Sequence, residues 1–103
     1  LYYPEYDRES ARRVMDLLER PRDVMRLLSG EPGAVTVRVG AETRCPELVD
    51  SSLVSVRYRV GQENAGGMGL IGPMRMDYGK TVAVLSYVSD TVTRMLTALL
   101  REQ

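Results

Sequence analysis

The chain of 103 residues contains no histidine, no tryptophan, no phenylalanine and one cysteine, Cys45. Without histidine or a second cysteine, it cannot build a zinc site of the usual Cys/His type. It also cannot use serine–histidine or cysteine–histidine catalysis, because both need an imidazole to activate the nucleophile. A single cysteine forms no intrachain disulfide, which fits a reducing compartment. We therefore expect a cytoplasmic protein with no metal and no cofactor.

The chain has no excess of charge, because fourteen basic residues balance fourteen acidic residues. A DNA-binding domain usually carries a basic face, since phosphate neutralisation supplies most of its affinity. Arginines are densest between residues 8 and 26, where acidic residues alternate with them. This interleaving favours a solvated, salt-bridged helix face over a nucleic-acid surface. The residues are Arg8, Arg12, Arg13, Arg20, Arg22 and Arg26, interleaved with Glu9, Asp16, Glu19 and Asp23.

Long apolar runs are also missing from the sequence. None approaches the ~20 residues that span a bilayer, and no signal peptide is apparent. We therefore expect no membrane partner. The length fits one domain, residues 1–103. Because the chain begins with Leu1 rather than Met, we expect it to be part of a longer protein.

The first 30 residues predict two helices. Apolar residues at three- and four-residue steps indicate a first helix, which Asp7 or Ser10 is suited to cap. Pro21 ends this helix near Arg20, because proline disfavours a helical residue before it. Pro21 is also suited to the first turn of a second, short helix that stops at Gly30.

Residues 34–39 predict the first strand, because β-branched residues alternate with other residues there. Val35, Val37 and Val39 then share one face. A connection follows, with one helical turn predicted at residues 46–49.

Residues 53–60 and 65–71 predict two further strands, and the short turn between them favours an antiparallel hairpin. Asp77 is the predicted N-cap of a long final helix. Its predicted sheet-facing residues follow helical spacing and are Val82, Leu85, Val88, Val92, Met95, Leu96 and Leu99.

The predicted fold class is α+β: a three-stranded antiparallel sheet packed by the long C-terminal helix and the N-terminal helices. We expect these helices on one face of the sheet. The alternative is that the final helix forms half of a coiled-coil dimer seam, but its broad apolar face favours packing on its own sheet. Three strands leave open edges, so we also expect further strands or a partner chain.

Two segments resemble nucleotide-binding motifs, but neither has everything that such a site needs. Residues 67–72 match G-x-G-x-x-G, but they lie within a strand-like run that Pro73 follows, whereas a dinucleotide site opens directly into a helix. Residues 79–81 end like a Walker A motif, but Met74 stands where that motif needs glycine. No pair of carboxylates suited to acid–base work is visible. We therefore predict that the chain is not an enzyme.

Two segments together carry a specific resemblance. Residues 52–61 read SLVSVRYRVG, and residues 69–78 read GLIGPMRMDY. In this order they resemble the HrcA-type heat-inducible transcription repressors, although that family usually has Thr where this chain has Met74. Arg75 is expected to reach a carboxylate or the carbonyls of a helix end. We predict structural roles for the residues that carry the resemblance, called the signature residues: Tyr58, Arg59, Val60, Gly61, Gly69, Ile71, Gly72, Pro73, Arg75, Met76, Asp77 and Tyr78.

The resemblance implies a function and partners. Members of this family are bacterial repressors that bind an inverted-repeat operator upstream of chaperone genes. They have an N-terminal winged-helix DNA reader and a GAF-like domain with a dimerising insertion. By this resemblance, the chain is the C-terminal part of the GAF-like domain and lacks the winged helix. It implies a non-catalytic regulatory and dimerisation domain, a homodimer, operator DNA bound through the missing N-terminal domain, and a GroEL-type chaperonin as a further partner.

The alternative function is a GAF-like small-molecule sensor. Glycines have no side chain, so a ligand can approach the backbone closely where several of them cluster. On this hypothesis, Gly66, Gly67 and Gly69 line the binding site.

Overall fold

The computed structural model describes residues 7–30, 33–61 and 63–101. No helix in this part of the chain has both the length and the apolar character needed to cross a membrane. In chain order, the elements are α1 (Arg8–Leu18), α2 (Pro21–Leu27), β1 (Thr36–Val39), two short 3₁₀ helices (Gly40–Thr43 and Pro46–Leu48), β2 (Ser51–Val60), β3 (Glu63–Pro73) and α3 (Tyr78–Arg101).

The three strands form an antiparallel sheet in the order β1-β2-β3. Leu53 in β2 lies opposite Arg38 in β1 and Ile71 in β3, so β2 is the central strand. The predicted α+β class and the predicted hairpin are therefore confirmed. Both hairpin strands are longer than predicted, because the ladder continues to the pair Ser51 and Pro73.

Helices cover both faces of this sheet. Leu53 packs with Leu17 of α1 and Leu27 of α2 on one face. The neighbouring Val54 packs with Leu85 of α3, and successive strand residues point to opposite faces. The expectation that all helices lie on one face is therefore wrong. The physical reason is that residues 51–56 are buried without interruption, so neither face of β2 is left for solvent.

The predicted start of the first helix and the predicted break at Pro21 are confirmed. The Asp7 carboxylate accepts a hydrogen bond from the Ser10 backbone N–H at 2.7 Å and caps α1. Pro21 occupies the first turn of α2, where its missing N–H costs no helical hydrogen bond. The predicted turn after residue 46 is a 3₁₀ helix, and the preceding one at Gly40–Thr43 was not predicted.

The final helix begins after Asp77, as predicted, but it buries a narrower face. Its buried residues are Thr81, Leu85 and Ser89, which follow one another at four-residue steps. Three residues predicted to face the sheet are instead exposed: Val88 by 41%, Met95 by 61% and Leu99 by 58%. Small hydroxyl side chains let the helix approach the sheet closely, and the Thr81 hydroxyl is satisfied by the Asp77 carbonyl at 2.9 Å.

The first prediction compares two glycines with left-handed backbone. Gly40 has φ +57°, and a Cβ there would lie 3.0 Å from the Val49 carbonyl oxygen. Gly61 has φ +62° with open space around it. Gly61→Ala should lower the free energy of unfolding by about 1 kcal/mol through backbone strain alone. Gly40→Ala should lower it by about 2–3 kcal/mol, because a steric clash adds to the strain.

Urea unfolding of both variants and the unsubstituted chain measures this difference. Equal losses at the two positions would show that the contact between residue 40 and the Val49 carbonyl has no energetic weight.

Candidate functional site

The signature residues separate into two groups at opposite ends of the β2–β3 hairpin. Residues 58–61 form the end of β2 and the beginning of the hairpin turn. Residues 72–78 form the end of β3 and its connection to α3. Gly69 and Ile71 lie between the groups on β3. The structure therefore does not gather these residues into one site.

At the turn end, the signature residues shape the hairpin. Gly61 supplies the positive φ that begins the turn, and Val60 is buried. Tyr58 lies opposite Gly66, and a Cβ on Gly66 would stand 2.8 Å from the Tyr58 hydroxyl oxygen. The tyrosine side chain thus occupies the space above the glycine. Arg59 is exposed and forms no hydrogen bond or ion pair with the described residues.

In the middle of β3, the glycines make room for protein side chains. A Cβ on Gly69 would lie 3.1 Å from Leu28 Cδ2 and 3.2 Å from Leu53 Cδ1, and a Cβ on Gly67 would lie 3.3 Å from Leu28 Cβ. Together with Gly66 beneath Tyr58, these contacts account for the glycine cluster through packing. They do not favour the ligand-sensor hypothesis.

At the other end, the signature residues join the sheet to α3. Ser52 donates a hydrogen bond from its hydroxyl to the Pro73 carbonyl at 2.9 Å. Tyr78 donates a hydrogen bond from its hydroxyl to the Met74 carbonyl, which joins the first residue of α3 to the residue that follows β3. Asp77 accepts from the Lys80 backbone N–H at 3.0 Å and caps the helix. These contacts fix where α3 starts relative to the sheet.

Arg75 and the two methionines beside it differ in environment. Arg75 is exposed and makes no hydrogen bond or ion pair within the described residues, so its predicted contact with a carboxylate or a helix end is wrong. Met76 packs in the α3-side core, whereas Met74 is 44% exposed. In this connection the Met74 carbonyl accepts from Tyr78 and the Asp77 carboxylate accepts from the Lys80 backbone N–H, rather than from Arg75.

The arginine-rich helix face is partly salt-bridged, as predicted. Arg13 pairs with Glu9 at 3.4 Å and with Asp50, which precedes β2. Arg20 pairs with Asp23 at 2.9 Å and with Glu47 in the second 3₁₀ helix. These pairs hold α1 and α2 against the connection between β1 and β2. Arg26 also pairs with Asp23, while Arg8, Arg12 and Arg22 make no ion pair in the described part of the chain.

Among the described residues, Glu47 and Cys45 are neighbouring groups whose pKa values are both shifted. The hydrogen bond from Arg20, followed by that from Cys45, lowers the pKa of Glu47 to about 2. Burial, with the Glu47 hydrogen bond as the next cause, raises the pKa of the Cys45 thiol. The thiol lies 3.2 Å from the Glu47 carboxylate and stays protonated at neutral pH. Cys45 therefore lacks the thiolate character of a nucleophilic cysteine.

The described residues form no metal-binding cluster, and the glycine pattern forms no nucleotide-binding loop. Among residues 7–30, 33–61 and 63–101, no three His, Cys, Asp or Glu side chains are placed to hold a metal ion. The G-x-G-x-x-G pattern at residues 67–72 lies entirely within β3, so no loop opens into a helix there. Apart from the exposed Arg59 and Arg75, the signature residues take part in packing, turns or the connection to α3.

Comparison with known proteins identifies the family. The sequence model described as HrcA protein C terminal domain matches residues 1–82. The chain belongs to the HrcA C-terminal domain family. It is 34% identical over 99% of its length to the heat-inducible transcription repressor HrcA of Bacillus pumilus. It is 41% identical over 84% of its length to the protein of the same name from Nocardia farcinica. The resemblance seen in the sequence is thus confirmed.

The HrcA relatives are much longer than this chain. The chain spans 30% of the Bacillus pumilus protein and 28% of the Desulfitobacterium hafniense protein, to which it is 36% identical. A crystal structure of a hypothetical protein at 2.2 Å resolution shares the fold, with a TM-score of 0.78 and 22% sequence identity. The match covers 89% of this chain and 29% of that one.

The Glu47 ion pair predicts a pH dependence of stability. A carboxyl whose pKa falls on folding stabilises the folded state above its ordinary pKa, and this contribution is lost as the pH falls through the folded value. For Glu47 the window runs from 4.5 down to about 2. Glu47→Gln should therefore lower the free energy of unfolding by about 1 kcal/mol at pH 7. This figure is reduced for solvent screening because the ion pair is partly exposed.

Thermal or urea unfolding from pH 7 to pH 2 measures this cost, with Glu19→Gln as the control, since Glu19 is exposed and makes no ion pair with described residues. A Glu47→Gln deficit that persists unchanged at pH 2 would contradict the assignment.

Proposed function

We propose that this chain is the C-terminal part of a heat-inducible transcription repressor. In this proposal it is a non-catalytic domain that supports a dimeric, operator-binding protein. The observation that carries the proposal is the match of residues 1–82 to the HrcA C-terminal domain, joined to relatives that are named as heat-inducible transcription repressors. The chain is one part of that protein, since it spans 30% of the Bacillus pumilus relative.

A structural role without catalysis agrees with how the signature residues are used. They cap α3, close its connection to β3, turn the hairpin and let Leu28 and Tyr58 pack against glycines. Each of these roles sets the relative position of two elements. None of these residues forms a nucleophile–base pair with another, which a hydrolytic or transfer site would need.

DNA recognition in this proposal belongs to the part of the repressor outside this chain. An inverted-repeat operator needs a reader with two-fold symmetry, so the repressor acts as a homodimer. In this chain, Arg13, Arg20 and Arg26 are engaged by carboxylates rather than free for phosphates. In the repressor, this chain is the C-terminal part of a GAF-like domain that follows the winged-helix reader. The chain holds the winged-helix reader in the dimer. A GroEL-type chaperonin assists its folding, and the repressor works in the cytoplasm.

Operator binding by two proteins tests this proposal. The probe is a fluorescent duplex that carries the inverted repeat found upstream of the chaperone genes in the same genome. We expect the full-length repressor to bind it at nanomolar concentration. We expect this chain alone to bind no more tightly than about 10 µM, the strength of non-specific contacts.

Two outcomes would contradict the proposal. Nanomolar binding by this chain alone would show that the chain itself recognises the operator. Both halves of a two-fold reader contribute to affinity. Equal affinity of the full-length protein for a duplex with one half-site and a duplex with two would therefore contradict a dimeric reader. A duplex with scrambled half-sites at the same salt concentration is the control.

A further inference from the structure

A cleft between α2, β1 and the connection that follows β1 is lined by arginines. Its volume is about 370 Å³, which lies within the range of roughly 300–1,000 Å³ that is typical of small-molecule sites. Arg26 comes from α2, Arg38 from β1 and Arg44 from the segment between the two 3₁₀ helices. Three separate parts of the sequence thus bring guanidinium groups to one concave surface.

The two carboxylates that line the cleft are already paired with arginines. Arg20 Nε lies 2.9 Å from the Asp23 carboxylate, and Arg26 Nη1 lies 3.6 Å from it. Glu47 accepts a hydrogen bond from Arg20 and pairs with it. The negative charges of Asp23 and Glu47 are therefore matched by Arg20 and Arg26.

Arg38 and Arg44 are the positive charges of the cleft that no described carboxylate matches. Arg38 donates a hydrogen bond to the Leu27 carbonyl at 3.2 Å, which orients its guanidinium without neutralising it. The Arg44 side chain is exposed and makes no hydrogen bond or ion pair with the described residues. Because a guanidinium has five N–H donors, both side chains keep donors for a ligand. The cleft thus has an excess of two positive charges among the residues that the structure describes.

The backbone of Arg44 adopts a conformation that disfavours arginine. Its φ is +56°, and among the described residues it is the one non-glycine residue with a positive φ. Arg44 ends the first 3₁₀ helix, and glycine or asparagine is the usual left-handed residue at a helix end. The buried Thr43 fixes this turn by donating a hydrogen bond from its hydroxyl to the Gly40 carbonyl at 2.8 Å. A strained residue whose side chain has no polar partner in the described chain points to a use for that side chain.

The charge and the shape of the cleft favour the phosphate of a small molecule. At neutral pH, a phosphate monoester carries about two negative charges and three acceptor oxygens. This charge equals the excess that Arg38 and Arg44 leave, and guanidinium forks bind phosphate oxygens in pairs. A DNA duplex presents its phosphates on a broad convex surface, which a concave cleft of this size does not admit.

We propose that this cleft binds a phosphate monoester and that Arg38 and Arg44 contact its oxygens. The organic part of the ligand lies toward Leu27 and Pro46, which line the same cleft. The phosphate can belong to a soluble molecule or to a lipid headgroup, and the experiment distinguishes the two. This inference does not rest on the proposed function, because neither operator binding nor a dimer enters it.

An NMR titration with isotope-labelled arginine tests the binding, in this chain and in the full-length protein. The probe is glycerol 3-phosphate at constant ionic strength, because salt screens charges. We expect the Nε–H signals of Arg38 and Arg44 to shift with a Kd of about 1 mM or tighter. Glycerol should shift neither signal, and acetate, with one charge, should bind at least about 10-fold more weakly.

Co-sedimentation with vesicles that carry phosphatidic acid is the second arm of the experiment, because this lipid presents the same phosphate monoester at a membrane surface. Binding of glycerol 3-phosphate supports the proposal with a soluble ligand. Binding to these vesicles without binding of glycerol 3-phosphate supports it with a lipid headgroup, provided that Arg44 is required.

Two substitutions separate binding from folding. Arg44→Gly removes the side chain and relieves the left-handed strain, so we expect the affinity for glycerol 3-phosphate to fall at least about 10-fold while the Tm does not fall. Arg22→Gln is the matched control. Arg22 is exposed on α2, makes no ion pair with the described residues and does not line the cleft. Its replacement should leave the affinity unchanged.

Three results would overturn the proposal. The absence of binding in both arms would show that the cleft takes no phosphate monoester. An equal loss of affinity in Arg44→Gly and Arg22→Gln would show a general attraction to the positive charges of the chain. Binding of a DNA duplex that requires Arg44, without binding of glycerol 3-phosphate, would assign the two arginines to a nucleic acid.

Discussion

The burial of β2 on both faces and along both edges is the constraint on which the rest of the structure depends. Residues 51–56 are buried without interruption, and they pair with β1 on one side and with β3 on the other. Leu53 joins the core beneath α1 and α2, while Val54 and Val56 join the core beneath α3. Full burial of such a side chain contributes about 1.5–3 kcal/mol. β2 thus contributes side chains to both cores, together with Ile71 of β3 on one face and with Met68 and Leu70 of β3 on the other.

The polar contacts act at the margins of these two cores. Arg13 and Arg20 reach carboxylates in the connection between β1 and β2, so they fix α1 and α2 against the sheet. On the opposite face, Asp77 and Tyr78 fix the start of α3. A domain fastened in this way holds its elements at defined positions, as the proposed supporting role requires. This is how the packing leads to the proposed function.

Local rules predicted the elements whose causes are local. Pro21 separates α1 from α2, and Asp77 caps α3, because proline geometry and helix capping depend on a few neighbouring residues. The hairpin followed from two β-rich runs with a short turn between them. The family followed from residues 52–61 and 69–78, whose specific letters and order carry more information than composition.

Local rules failed where distant packing decides the outcome. Serines and threonines were not predicted as buried, so the two-sided burial of β2 and the narrow buried stripe of α3, which includes Thr81 and Ser89, were missed. Under the alternative sensor hypothesis the glycines of β3 are room for a ligand, but Leu28 and Tyr58 fill that room. Neither contact is visible in the sequence, because each joins residues from different elements. Arg75 was expected to contact a carboxylate or a helix end, but it makes no such contact with the described residues. Tyr78 instead bonds the carbonyl of the neighbouring Met74.

The most direct test of this account is native-state hydrogen exchange of the chain and of Leu53→Ala under increasing urea. Leu53 belongs to the core on the α1 and α2 side, whereas Leu85 of α3 belongs to the core on the opposite face. The account predicts that Leu53→Ala lowers the opening free energy of the β2 amides by about 2–5 kcal/mol and that of the Leu85 amide by the same amount. A Leu85 amide whose opening free energy does not change would show that α3 is stable without β2, and would contradict the account.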